Sequence, residues 1–119
     1  MDKTREYLES LDSVFCGDRT MIFRACQSFL NHCDGYMDVM NRACQARNGP
    51  ELQRIAHAFK SSFVMFGDAA ATNAALEMEK RGQENNWDGV NDVLNRFCLQ
   101  LESVRNTSSN LLKGDCKRV

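Results

Sequence analysis

The sequence contains little of what interrupts helices or builds strands. Proline occurs once, at Pro50, and seven glycines are scattered over 119 residues. No segment shows the alternating apolar and polar pattern, rich in β-branched residues, that predicts half-buried strands. Several segments instead repeat apolar residues at spacings of three and four, as one face of a helix requires. We therefore expect an all-α fold, and the length with 43% hydrophobic residues suits one compact domain.

The sequence also lacks an excess of charge of either sign. Its 15 basic and 16 acidic residues give a formal net charge of −1, so no broad positive field exists to hold a phosphate backbone or an anionic lipid surface. The first ten residues, MDKTREYLES, are charged throughout and lack the apolar core of a signal peptide, and no apolar run is long enough to span a bilayer. We expect a cytoplasmic protein without nucleic-acid or membrane partners.

The cysteines lack the paired spacing typical of a metal site. There are six, and no two of them form a CxxC pair: Cys16, Cys26, Cys33, Cys44, Cys98 and Cys116. Three of them, Cys26, Cys33 and Cys44, fall on an apolar helical stripe, where a free cysteine packs as a small hydrophobic residue. Because the cytosol is reducing, we expect six free thiols and no bound metal. A metal-binding or redox bundle remains an alternative.

The longest apolar seam predicts a helix over roughly 19–47, with Asp18 as its N-cap. Its members follow one another in steps of three and four: Ile22, Cys26, Phe29, Cys33, Tyr36, Met40 and Ala43. The seam continues past Gly35. A glycine inside a helix costs about 1 kcal/mol relative to alanine, which is small beside the burial of several large side chains. We expect one continuous helix, ended by the sequence NGP at 48–50 with Gly49 in the left-handed position.

The remaining segments predict a bundle. A short N-terminal helix precedes the long one, and a helix over about 50–66 follows it and ends at Gly67. Asp68 can cap an alanine-rich helix, and Asp88 can cap a last helix. The apolar seam of that last helix is Val90, Leu94, Phe97, Leu101 and Val104. Four substantial helices with short loops predict an antiparallel up-down four-helix bundle with a short N-terminal helix.

The end of the chain differs in composition from the predicted bundle. Residues 107–119, TSSNLLKGDCKRV, are mostly polar. We assign residues 1–106 to the helical bundle domain and expect residues 107–119 to form a flexible tail.

One histidine lies inside the apolar stretch AHAFKSSFVMFG at residues 56–67. The core stripe of this predicted helix consists of Leu52, Ile55, Ala56, Phe59, Phe63 and Phe66. At about 100° per residue, His57 lies roughly 150° from the centre of that stripe and faces water. It is therefore not a core histidine. Gln53 lies one turn before it, and Lys60 and Ser61 lie one turn after it, which surrounds the imidazole with polar groups.

The neighbours of His57 favour nucleophilic chemistry without a triad. No acidic residue lies three or four positions away, so a hydrolytic triad has no support. A neutral exposed imidazole is a competent nucleophile at cellular pH, and the ammonium group of Lys60 can balance charge on a phosphoryl group. Val64 and Met65 also project away from the core stripe, which indicates a docking surface. The alternative is that these two are scattered surface apolar residues.

These residues carry a family resemblance. The segment HAFKSS at 57–62, followed by Gly67, resembles the H-x-x-K-[GS]-[SA] … G signature of histidine-containing phosphotransfer (HPt) domains, and the order of the predicted helices is similar to theirs. The resemblance implies that His57 is the phosphoacceptor and Lys60 the phosphate-side cation. Ser61 stands where the family usually has glycine, and Asp68 stands where alanine often follows the glycine. Neither departure removes a reacting group.

The resemblance also implies a partner and a role. His57 would accept a phosphoryl group from an aspartate of one receiver domain and deliver it to an aspartate of another, as a phosphorelay intermediate. The partner-binding residues would be Gln53, Ser61, Val64, Met65 and Gly67. Receiver domains of hybrid histidine kinases and response regulators would be the partners of a monomeric protein.

No cofactor is expected in this chain, because Mg²⁺ would be held by the receiver domain. The sequence has no Gly-rich phosphate loop and no room for an ATP-binding domain, so no kinase activity of its own is expected. The alternative function is a non-catalytic helical adaptor that binds a receiver or a partner helix.

Overall fold

All regular secondary structure in the computed structural model, which describes residues 3–114, is α-helical. The helices are α1 (Lys3–Phe15), α2 (Arg19–Ala46), α3 (Gly49–Phe66), α4 (Ala69–Glu84) and α5 (Val90–Lys113). The prediction of an all-α fold is confirmed. Within residues 3–114, no helix combines the length and the apolar character needed to cross a membrane.

The helices pack around one apolar core. Contacts join α2 to α3, α3 to α4, α4 to α5 and α5 to α2, and α1 lies against α2, α3 and α5. The seam predicted for α2 is buried except for the half-buried Tyr36. Every residue of the stripe predicted for α3 is at most 1% exposed. Phe59 and Phe63 of α3 meet Phe97 of α5 with ring centroids 5.0–6.0 Å apart. The core side of α3 is therefore the one that its sequence predicts.

The long helix α2 runs for 28 residues and includes Gly35, so the predicted continuity is confirmed. The carboxylate of Asp18 accepts a hydrogen bond from the amide of Met21, which caps the N-terminus. The C-terminus differs from the prediction, because Arg47 adopts the left-handed conformation expected of Gly49. Asn48 then caps α3, and Gly49 is its first residue.

Gly49 and Gly82 lie where α3 and α4 approach each other closely. A Cβ atom added to Gly82 would lie 2.6 Å from the backbone oxygen of Gly49 and 2.6 Å from the backbone nitrogen of Gln53. Only glycine leaves room for two backbones at this separation. The contact fixes the last turns of α4 against the first turns of α3. It brings Glu79, one turn before Gly82, beside the middle of α3.

Two predictions for the end of the chain are wrong. Asp88 does not cap α5, because Gly89 is the N-cap, at φ 64°, and makes no side-chain cap hydrogen bond. The carbonyl of Asp88 accepts a hydrogen bond from Arg81 instead. The predicted flexible tail is helical from residue 107 to Lys113. Its buried residues continue the steps of four and three from Val104: Thr107, Ser108 and Leu111. The pattern is hard to recognise in the sequence because a serine occupies a core position. Residues 115–119 of that predicted tail lie outside the described residues.

The cysteines of α2 are buried as the stripe predicts. The five cysteines within residues 3–114 are thiols, and Cys116 lies outside the described residues. Desolvation by burial raises the pKa of the Cys33 thiol to about 11, which keeps it protonated at neutral pH. We expect thiol titration of the freshly prepared, reduced and denatured protein to find six thiols per chain. In the native protein, Cys16 and Cys98 should react before the cysteines of α2 because they are exposed. A count of four or fewer after denaturation would contradict this expectation.

Candidate functional site

His57 lies in the middle of α3, and its side chain is 61% exposed. Its chain neighbour Ala56 is fully buried, and Phe59 is 1% exposed. The same turn of helix is therefore held by core packing on one side and presents the imidazole to solvent on the other. The predicted orientation of His57 is confirmed.

A carboxylate from α4 contacts the predicted phosphoacceptor and the predicted phosphate-side cation. Glu79 Oε2 lies 2.7 Å from His57 Nδ1, and Lys60 Nζ donates a hydrogen bond to Glu79 Oε1 at 2.6 Å. The Glu79 side chain is 11% exposed and that of Lys60 is 25% exposed. One buried carboxylate therefore links an exposed imidazole to a half-buried ammonium group.

The surroundings of Glu79 act on its pKa in opposite directions. Burial raises the pKa of the carboxyl group, whereas the hydrogen bonds from Lys60 and His57, with their charges, lower it. The lowering effects prevail, so the pKa lies below its ordinary value of 4.5 and the group is ionised at neutral pH. An ionised carboxylate can only accept a hydrogen bond, which assigns the ring proton of neutral His57 to Nδ1. The lone pair is then on Nε2, the ring nitrogen that does not contact Glu79.

Glu79 is not among the residues predicted from the sequence, because it lies 22 positions from His57 on another helix. A search at three and four positions from the histidine cannot find it. One signal was available, since Glu79 lies four residues after Ala75 and three before Gly82, on the buried stripe of α4. A glutamate on a buried stripe requires a partner with which to pair. The identity of that partner follows only from the packing of α3 against α4.

The predicted partner-binding residues do not share one environment. Gln53 borders a shallow recess together with His57 and Glu79. Ser61 is exposed, and its hydroxyl donates a hydrogen bond to the carbonyl of His57 at 3.2 Å. Val64 is 59% exposed, as expected of a docking residue.

Met65 differs from the expectation that it projects away from the core stripe, whereas Gly67 is exposed and also contacts α1. Met65 is half-buried and packs against the core, because it lies beside the buried Phe66 at the edge of the core stripe. Gly67 ends α3 in the left-handed conformation at φ 73°. A Cβ atom there would lie 2.8 Å from Ser10 Oγ, so the small size of Gly67 also serves the contact with α1.

A groove between α2 and α3 has a volume of about 230 Å³. His32 and Tyr36 of α2 border it, together with Phe59, Ser62 and Met65 of α3. Across residues 3–114, no three histidine, cysteine or acidic side chains are grouped so that they could hold a metal ion.

A family model described as the Hpt domain matches residues 24–107, which include His57, Lys60 and Glu79. The chain belongs to the Hpt domain family. Hpt domains are phosphotransfer intermediates that carry phosphoryl groups on a histidine in phosphorelays. Searches of curated proteins and of solved structures gave no match. The resemblance read from the HAFKSS segment is confirmed at the level of the family.

In this Hpt domain, replacing Glu79 with glutamine should lower the free energy of unfolding by about 1–2 kcal/mol at pH 6, because two hydrogen bonds lose their ionic partner. The pKa of Glu79 is depressed in the folded state. The stabilisation that ionised Glu79 gives the folded state is therefore fully present above the pKa of the carboxyl group in the unfolded chain. It is lost as the pH falls through the lower pKa of the folded state. Urea unfolding at pH 6 and at pH 3 should show the difference between the two proteins shrinking at pH 3.

A matched control for this substitution is Glu77→Gln on the same helix. Glu77 pairs with Arg96, and both side chains are well exposed. Its loss should change the free energy of unfolding by only about 0.5 kcal/mol. A Glu79→Gln effect that is equally small, or equally large at both pH values, would contradict the stabilising role of the carboxylate.

Proposed function

We propose that this Hpt domain is an intermediate of a multistep phosphorelay in which His57 is the phosphorylated residue. The observation that carries the proposal is the pairing of an exposed imidazole with the buried carboxylate of Glu79. The carboxylate holds the ring by Nδ1 and so leaves Nε2 as the nitrogen available for reaction. A nucleophile held in this way needs no further base on its own chain, since neutral Nε2 already carries a lone pair.

The proposed transfer involves one bond formed and one bond broken at phosphorus. The lone pair of His57 Nε2 forms the N–P bond, while the bond between phosphorus and the aspartyl oxygen of the receiver breaks. That oxygen keeps the electron pair and becomes a carboxylate. Delivery to a second receiver is the reverse reaction with another aspartate. Mg²⁺ and most of the charge stabilisation would come from the receiver, which explains why no cofactor site is needed here.

The fold suits this role because it holds the imidazole rigidly. Connections of two residues, 47–48 and 67–68, and one of five residues, 85–89, join α2 to α5 in sequence. Short connections between long helices that contact their neighbours support the up-down antiparallel arrangement as part of the proposal. A fixed imidazole reduces the entropy lost on reaching the geometry for in-line attack.

The partners that we propose are receiver domains of hybrid histidine kinases and response regulators. Exposed Val64 and Ser61, with Gln53 beside the imidazole, give a receiver a surface that is partly apolar and partly polar around the reacting nitrogen. We also propose, from the sequence, that the protein acts in the cytoplasm as a monomer and has no kinase activity of its own.

The test is incubation of the purified protein with a receiver domain carrying a ³²P-labelled aspartyl phosphate. We expect label to move to the protein and to be acid-labile and base-stable, as a phosphohistidine is. A receiver that binds without transferring label would contradict the proposal. That result would favour the alternative function, a helical adaptor.

Replacing Lys60 with alanine should slow acceptance of label roughly tenfold to hundredfold, because a positive charge beside the phosphoryl oxygens is lost. The fold should be retained, at a cost of about 1 kcal/mol for the lost ion pair with Glu79. Single-turnover transfer and circular dichroism measure the two effects. Lys80→Ala, an exposed lysine of α4, is the control and should leave both unchanged. Equal rates for Lys60→Ala and the wild type would contradict this role.

A further inference from the structure

Phosphorylation of His57 changes the charge of its ring, and Glu79 is the group placed to respond. This consequence rests on the proposed phosphorelay role of His57. When neutral Nε2 forms a bond to phosphorus, the proton on Nδ1 stays in place and the ring becomes a cation. The ionised carboxylate 2.7 Å from Nδ1 then faces a positive N–H group. A hydrogen bond between two opposite charges is stronger than the bond to the neutral ring that precedes it.

The retained proton decides whether the phosphoryl group can leave. During donation the N–P bond breaks and its electron pair returns to Nε2, while an aspartate oxygen of the receiver bonds to phosphorus. If Nδ1 carries its proton, the leaving group is a neutral imidazole. If Nδ1 has lost its proton to solvent, the leaving group would be an imidazolide anion, which is a far poorer leaving group. A group that keeps the proton on Nδ1 therefore speeds donation at neutral and alkaline pH.

We propose that Glu79 is a positioning residue for the donating half of the relay, because it holds the proton on Nδ1 of phosphorylated His57 and so keeps the ring in its reactive cationic form. Glu79 contacts neither phosphorus nor the receiver and acts through the imidazole alone. In the unphosphorylated state Glu79 sets which nitrogen reacts, and in the phosphorylated state it sets the rate at which the domain gives up its phosphoryl group.

The charged groups around this carboxylate are few. From α3, His57 and Lys60 face it directly, and Arg54 borders the same recess but is paired with Glu51. Of the neighbouring charged residues on α4, Glu77 is paired with Arg96 of α5, the other helix that packs against α4. Lys80 of α4 is exposed. Glu79 is therefore the acidic group in contact with Nδ1, and Lys60 keeps it ionised.

The experiment compares donation by the wild type and by Glu79→Gln between pH 6 and pH 8.5. Each protein is labelled by a phosphorylated receiver, purified and mixed with an unphosphorylated receiver, and the single-turnover rate is recorded. Because both proteins use the same receiver, the ratio of their rates cancels the pH dependence of the receiver. Glutamine can accept a hydrogen bond from Nδ1 but carries no charge to retain the proton.

We expect the rate for Glu79→Gln to fall about tenfold per pH unit at alkaline pH relative to the wild type, and to approach the wild-type rate at pH 6. Glu79→Asp should restore part of the alkaline rate, because it restores the charge. Glu77→Gln should match the wild type throughout. In ¹⁵N NMR spectra at pH 8, the phosphorylated wild type should retain the Nδ1 proton and Glu79→Gln should not.

A constant ratio of rates across this pH range would overturn the role of Glu79, since a merely structural defect slows donation equally at each pH. The same holds if both phosphorylated proteins retain the Nδ1 proton at pH 8. If the wild type accepts no label from any receiver, the phosphorelay proposal fails and this one fails with it. Label on both proteins with parallel pH profiles removes only the role assigned to Glu79.

Discussion

Replacing Phe59 with alanine should lower the free energy of unfolding by about 3–5 kcal/mol. The side chain is 1% exposed. Its ring contacts Tyr36 of α2 at a centroid distance of 5.7 Å, Phe63 at 5.8 Å and Phe97 of α5 at 5.0 Å. Removal would leave a cavity where three helices meet, and rings held by one another cannot collapse into it without losing their own contacts.

Urea unfolding followed by circular dichroism measures this cost. Val64→Ala on the same helix is the matched control, and its 59% exposure limits the expected change to about 0.5 kcal/mol. Folded Phe59→Ala should still accept a phosphoryl group, because the reacting nitrogen and its partner Glu79 are unchanged. Equal costs for the two substitutions, or unfolding of Lys60→Ala under conditions where Phe59→Ala stays folded, would show that the faces of α3 are assigned wrongly.

Replacing His57 with glutamine should abolish acceptance of the phosphoryl group while the bundle stays intact. Glutamine keeps the ability to hydrogen-bond to Glu79 but has no nucleophilic nitrogen. The side chain of His57 is 61% exposed, so the free energy of unfolding should change by roughly 0.5 kcal/mol or less. The measurement is transfer from a phosphorylated receiver, with thermal unfolding recorded on the same preparation.

The matched control is His32→Gln, which removes the other histidine. His32 is exposed on α2, and its Nδ1 is 2.7 Å from the carbonyl of Ser28, a bond within its own helix. We expect this variant to accept a phosphoryl group at the wild-type rate. Loss of transfer in His32→Gln with retention in His57→Gln would reverse the assignment.

Helix periodicity predicted much of the fold because α2 and α3 each carry a nearly complete apolar stripe. The position of His57 followed from the same geometry, since a residue opposite a well-filled stripe faces solvent. The positions of Lys60 and Ser61 beside the imidazole follow from their spacing of one helical turn after His57. These inferences needed only the repeat of one helix.

The features that the sequence did not predict depend on contacts between helices or on small polar core residues. Glu79 meets His57 only because Gly49 and Gly82 let α3 and α4 approach closely. Asp88 has the side chain of a good cap, but Gly89 is the N-cap. Ser108 is fully buried in α5, although the polar composition of residues 107–119 predicts a flexible tail. Composition describes the usual environment of a residue type and not the packing that one chain adopts.

The most direct test of the central claim is to locate the phosphoryl group in protein labelled by a phosphorylated receiver. Digestion at alkaline pH preserves phosphohistidine, and tandem mass spectrometry then identifies the modified residue. We predict the phosphoryl group on His57 in every labelled chain. Its presence on His32, Ser61 or Ser62, with His57 unmodified, would contradict the account.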